Sequence, residues 1–174
     1  AALRMRTTDT TLLAYMGHSN ASAAVSKNVA MFGGAAWRHM PADGPRPGLF
    51  FTCGCFSCQV DSPEESFGIA AMRAPGGPPA VIGSHGESWS AMGYLAISGV
   101  INSLEKNPVR VGEFWRATVA GLEKADISAA DFAMLDFADG TQGKVPLADQ
   151  RAEHVEMWML LGDPAMPLVP QPAS

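Results

Sequence analysis

The chain has 174 residues, 47% of them hydrophobic and 17% charged, with a formal net charge of -5 and a pI near 5.3. That is enough apolar material for one buried core and excludes a disordered chain. There is no basic stripe, which argues against a nucleic-acid partner. No apolar run approaches the ~20 residues of a membrane helix. No signal-peptide pattern opens the chain. The chain begins at Ala1 without Met, which fits a processed product or a portion of a longer protein.

In chain order, residues 1–10 read as a polar lead-in and 11–17 as a buried strand, ending in Gly17-His18-Ser19-Asn20. The Ala/Ser-rich stretch 20–37 predicts a short helix, and 40–48 is a loop by its Pro and Gly content. Residues 48–54 form a second strand, ending in Thr52-Cys53-Gly54-Cys55. Ser62, Pro63 and Glu65 have the spacing of a capping box, which predicts a helix from 63 to about 74. Residues 79–83 form a third strand, followed by Ser84-His85-Gly86-Glu87.

Helical periodicity then covers 88–104 and about 110–124, and a capped start at Ser128 with Asp131 opens another helix. Residues 138–149 read as a polar loop, and a last helix covers about 150–160 before Leu161-Gly162-Asp163-Pro164. His154, in that helix, reads as a surface residue, and Trp115 and Trp158 read as core. The tail after Pro167 reads as extended. Alternating strands and helices imply βαβ units and a parallel sheet covered on both faces. The whole of 1–174 is one domain, or a portion of one.

Two strands thus each deliver one reactive side chain at the C-terminal end, His18 and Cys55, where open α/β sheets place their sites. On one sheet edge an imidazole can take the thiol proton, and the thiolate can attack a carbonyl carbon. The plainer reading makes Cys55 a small buried hydrophobe and His18 a strand-end residue. Cys53, Cys55 and Cys58 are odd in number and tightly spaced, so a disulfide framework is disfavoured. With His18 or His85 they could hold zinc, although no second CxxC is present. His85 falls on the same edge and is an alternative base, a cleft wall or part of a helix start. Glu87 beside it hints at basic substrate side chains.

Five segments carry a family resemblance in order. They are Tyr15-Met16-Gly17-His18, Leu49 to Cys55, Ser66 to Gly77 (SFGIAAMRAPGG), Val81-Ile82-Gly83-Ser84 with Ser88-Trp89, and Leu160 to Pro164. Together they resemble the gingipain-type (family C25) cysteine peptidases of the caspase-like clan. The resemblance implies a three-layer α/β/α sandwich with a mainly parallel sheet, here without the strands that precede the histidine strand in the family. It implies Cys55 as nucleophile, His18 as its partner, and the backbone N–H groups of Ser19 and Cys55 as the oxyanion hole. Trp89, with Ser84 and His85, would line the substrate pocket.

No cofactor is implied. The partners implied are a peptide or protein substrate, and another chain or an upstream segment that completes the sheet. Export from the cell or display on its surface is implied as well. Where the family has Gly after the histidine, this chain has Ser19, which would be strained if that position needs a left-handed backbone. That departure keeps an alternative open, a non-catalytic caspase-like module that binds peptide or a partner protein.

Overall fold

A computed structural model describes residues 12–27, 29–43 and 46–168. The expected lead-in and all but the first residue of the expected tail lie outside them. In chain order the elements are β1 (Leu12–Tyr15), β2 (Ala23–Ser26), β3 (Val29–Gly33), α1 (Gly34–Arg38), β4 (Leu49–Thr52) and α2 (Phe67–Arg73). They continue with β5 (Val81–Ser84), α3 (Ser90–Leu104), α4 (Val111–Lys124), α5 (Ala129–Asp139), α6 (Leu147–Met157) and β6 (Trp158–Leu161).

The main sheet has the order β1-β4-β5-β6. β1, β4 and β5 run parallel, with Leu12 opposite Leu49 and Phe51 opposite Ile82. β6 returns antiparallel on β5, with Ile82 opposite Leu160. The central strands Leu49-Phe50-Phe51-Thr52 and Val81-Ile82-Gly83-Ser84 are buried throughout, as strands covered on both faces must be. Strand alternation divides their side chains between two cores. Leu49, Phe51 and Ile82 face Met92, Leu95, Phe114 and Leu122 of α3 and α4. Phe50 and Val81 face Trp37, Phe67 and Ala71 of α1 and α2. The result is the expected three-layer α/β/α arrangement.

Several local expectations are corrected. The stretch 20–37 is mainly an antiparallel hairpin, β2–β3, and only Gly34–Arg38 is helical. Its Val and aromatic residues suit a strand, Lys27 turns the chain at φ 48°, and the Asn20 carboxamide accepts the Ser22 and Ala23 amides. The helix expected from Pro63 begins at Phe67 instead. Glu65 pairs with Arg73 at 2.7 Å rather than closing a capping box, and the Phe67 amide is taken by the Ala21 carbonyl. The last helix stops at Met157, and Trp158-Met159-Leu160-Leu161 is a strand, because the edge of β5 offers both hydrogen bonds and a face for Trp158. The Ser128 cap forms as expected, its hydroxyl accepting the Asp131 amide at 3.0 Å.

Gly83 marks the tightest point of the central sheet. A Cβ there would sit 2.7 Å from each of Cys58 Sγ, Ser57 Oγ and Thr52 Cγ2. Gly83→Ala is therefore expected to destabilise the fold by about 2 kcal/mol. Thermal unfolding should read this as a fall in Tm of about 5 °C.

Candidate active site

His18 follows β1 and Cys55 follows β4, and these strands are parallel neighbours. The two loops therefore leave the same sheet edge side by side. They are joined directly. The Ser19 hydroxyl donates to the Cys55 carbonyl at 2.6 Å, and the Cys53 amide donates to the Tyr15 carbonyl at 2.9 Å. Gly54 makes this approach possible, since a Cβ on it would collide with the Ser19 hydroxyl. The Tyr15 hydroxyl donates to the His18 carbonyl at 2.6 Å and braces the turn before the imidazole.

Ser19 is not strained. The left-handed residue of this turn is Gly17, at φ 152°, and Ser19 pairs with Ala24 in an isolated antiparallel bridge. The bonds of that bridge run from Val25 N–H to His18 O and from Asn20 N–H to Ala23 O. They leave the Ser19 N–H outside the ladder. The strain lies instead at Phe56, directly after Cys55, with φ 55°. Such a conformation costs about 1 kcal/mol and is characteristic of turns that present a functional group.

Cys55 is half-buried. Its thiol donates to the Ser88 carbonyl at 3.3 Å, and the Ser88 amide donates to the sulfur at 3.4 Å. Burial pushes the thiol pKa up; the Ser88 amide pulls it down, and the charges of Glu87 and Asp139 push it up again. At neutral pH these effects favour the protonated thiol. Cys53 and Cys58 are buried deeper, both pushed up to about 12. They sit in the two separate cores on opposite faces of the sheet. Among the described residues no three His, Cys, Asp or Glu side chains converge as a metal site.

One carboxylate that sequence reasoning missed meets this site. Asp139, the last residue of α5, places Oδ1 3.9 Å from His18 Nδ1. Its Oδ2 accepts the Ser90 hydroxyl at 2.7 Å. The pair is open to water, with the imidazole 69% and the carboxylate 42% exposed.

The remaining expected site residues take differing places. Trp89 caps α3 and packs against His154, ring centroids 4.9 Å apart and planes tilted by 47°. Ser84, at the end of β5, is fully buried, and its hydroxyl closes a turn by donating to the Gly86 carbonyl at 2.7 Å. His85 is part-buried, with Nε2 3.7 Å from Asp61 Oδ1. His154, expected on the surface, is wholly buried. An open concavity beside the β2–β3 hairpin, lined among others by Phe32, Arg38 and Glu64, includes neither Cys55 nor His18.

The model of peptidase family C25 matches residues 4–169, and the chain belongs to that family. Its fold is correspondingly that of the gingipains. It is similar to the crystal structure of the Arg-specific cysteine proteinase gingipain R, with 20% identity and a TM-score of 0.63 over 90% of this chain. It is also similar to the complex of the Porphyromonas gingivalis RgpB pro- and mature domains, with 21% identity and a TM-score of 0.64 over 91% of this chain. A structure described only as a protease aligns with 15% identity and a TM-score of 0.67 over 92% of this chain. The chain spans about a third of these structures' length, 33%, 34% and 36% respectively. No curated protein sequence matches it.

Proposed function

We propose that the chain carries the catalytic centre of a cysteine endopeptidase, with Cys55 as nucleophile and His18 as its base and acid. The observation behind this reading is the pairing of the two loops at the ends of parallel neighbours β1 and β4, latched by the Ser19–Cys55 hydrogen bond. The thiol proton passes to His18 as sulfur bonds to the peptide carbonyl carbon. The carbonyl π electrons move onto oxygen, where the amides of Ser19 and Cys55 receive the charge. Each such donor is worth about 3 kcal/mol in the transition state. The tetrahedral species collapses to a thioester as the C–N bond breaks, and the departing amine takes the proton from His18. Water then adds to the thioester, giving its proton to His18, and the acid product leaves as sulfur is reprotonated.

Trp89 forms a wall for the side chain preceding the scissile bond, and Ser84 and His85 shape the loop that carries it. Glu87 and Asp139, whose charges both reach Cys55, favour a basic side chain there. The Arg-specific neighbour is consistent with that preference. β1 is an edge of the described sheet, and an upstream segment or a second chain would pair with it in the complete enzyme.

A peptidyl acyloxymethyl ketone tests the reading. Incubation followed by peptide mapping should place one adduct on Cys55. A folded protein that never forms that adduct would sink the proposal.

Asp139 has two opposed effects in this scheme. It orients His18, and its negative charge adds to burial and Glu87 in favouring the protonated thiol. Asp139→Asn is expected to slow peptide hydrolysis about tenfold while speeding alkylation of Cys55 by iodoacetamide about twofold. Steady-state kinetics beside alkylation rates checks the opposite signs.

A further inference from the structure

His154 on α6 reaches the thiol through Trp89. Its Nε2 lies 3.3 Å from the Trp89 backbone N–H and its Nδ1 2.8 Å from the Gln150 carbonyl. An amide can only donate and a carbonyl can only accept, so the ring is neutral, with its hydrogen on Nδ1. Its seat is rigid. The Gln150 side chain donates to Asp136 Oδ1 at 2.8 Å and to the Val145 carbonyl at 3.0 Å. Asp136 in turn accepts the Thr141 and Gly143 amides. The corner between α5 and α6 is thereby a single hydrogen-bonded block.

The amide that His154 accepts belongs to the residue next to Ser88, whose own N–H and carbonyl both engage the Cys55 sulfur. The Trp89 N–H and the Ser88 carbonyl lie in one planar peptide, so an uncapped Trp89 N–H would have to turn elsewhere for a partner and take the Ser88 carbonyl off the thiol.

We propose that His154 is a positioning residue for the thiol: by accepting the Trp89 amide and packing against its ring, it holds the Ser88–Trp89 peptide so that the Ser88 carbonyl faces Cys55, and so sets that thiol's reactivity. The inference rests on the reading above only in taking Cys55 as the reactive group.

The test is the rate of Cys55 alkylation by iodoacetamide in the full chain, from about pH 6 to 10, resolved from Cys53 and Cys58 by peptide mapping. In His154→Gln the side-chain oxygen can stand where Nε2 stands, and alkylation should stay within about twofold of the parent. In His154→Asn the side chain reaches only the Nδ1 position. Loss of the Ser88 carbonyl, an acceptor that favours the protonated thiol, should then lower the alkylation midpoint by about one pH unit and speed the neutral-pH rate about tenfold. Should the Asn variant not fold, His154→Phe keeps the volume, accepts nothing, and should give the same shift.

Native-like Asn or Phe variants that alkylate like the parent would overturn the proposal. So would a folded Gln variant shifted as far as they are. Alkylation needs no substrate turnover. A chain that alkylates as described but hydrolyses no peptide would remove the peptidase assignment and leave this inference standing.

Discussion

Cys55→Ala should abolish peptide hydrolysis, with a loss of about 10⁴-fold or more, while the fold is retained. Removing a nucleophile from a centre that works as a unit leaves only what transition-state binding supplies without covalent chemistry, and losses of that order are general. The fold should survive because the half-buried side chain holds no core together: its sulfur contacts the Ser88 backbone. The latch to Ser19 uses the Cys55 carbonyl, which alanine keeps. Turnover of a fluorogenic peptide with Arg before the scissile bond, read beside a thermal unfolding curve, separates the two effects. Intact turnover in the alanine variant, or a variant that no longer folds, would contradict this expectation.

His18→Ala should cost about 10³-fold in kcat/KM, in the range typical of a general base. The size of the loss follows from the resting state of the nucleophile. Burial and the charges of Glu87 and Asp139 keep Cys55 protonated, outweighing the pull of the Ser88 amide. A preformed thiolate could attack without help, but a thiol cannot. The variant should therefore depend on the small spontaneously ionised fraction, and its rate should climb about tenfold per pH unit through the neutral and mildly alkaline range. If His18 takes that proton, as proposed, the parent should be flatter over the same range. Parallel pH profiles for parent and variant would mean that His18 takes no proton.

The main sheet was legible because its strands end in abrupt changes of chemistry. Apolar Leu12 to Met16 and Leu49 to Thr52 each stop at small and polar residues, and that punctuation placed His18 and Cys55 on one edge. The Ser128 cap was readable for a similar reason, since a hydroxyl and a carboxylate three residues apart have few other uses at a helix start. The β2–β3 hairpin was not. Its alanines and serines fit a helix equally well, and the deciding feature, the left-handed Lys27, belongs to no turn signature. β6 was hidden because Trp158 to Leu161 continues the apolar spacing of α6, and only the open edge of β5 makes a strand of it.

Asp139 and His154 were missed for a deeper reason. Each meets the site through an approach of α5 or α6 that has no local marker. Asp139 fell at the border of an expected loop, and His154 lies among charged neighbours that read as a surface helix. One retrospective signal existed: a helix opening at Ser128 and running three turns ends near Asp139. Nothing in the sequence separated a buried imidazole from a solvated one at position 154.

The segregation of the three sulfurs has a consequence for oxidative damage. Cys53 and Cys58 are sealed in opposite cores and stay protonated far above physiological pH. Neither can readily supply the second thiolate that would trap a sulfenic acid on Cys55 as a disulfide. Peroxide would therefore meet Cys55 first and find no internal rescue, so oxidation would run on toward the irreversible sulfinic acid unless an external thiol intervened.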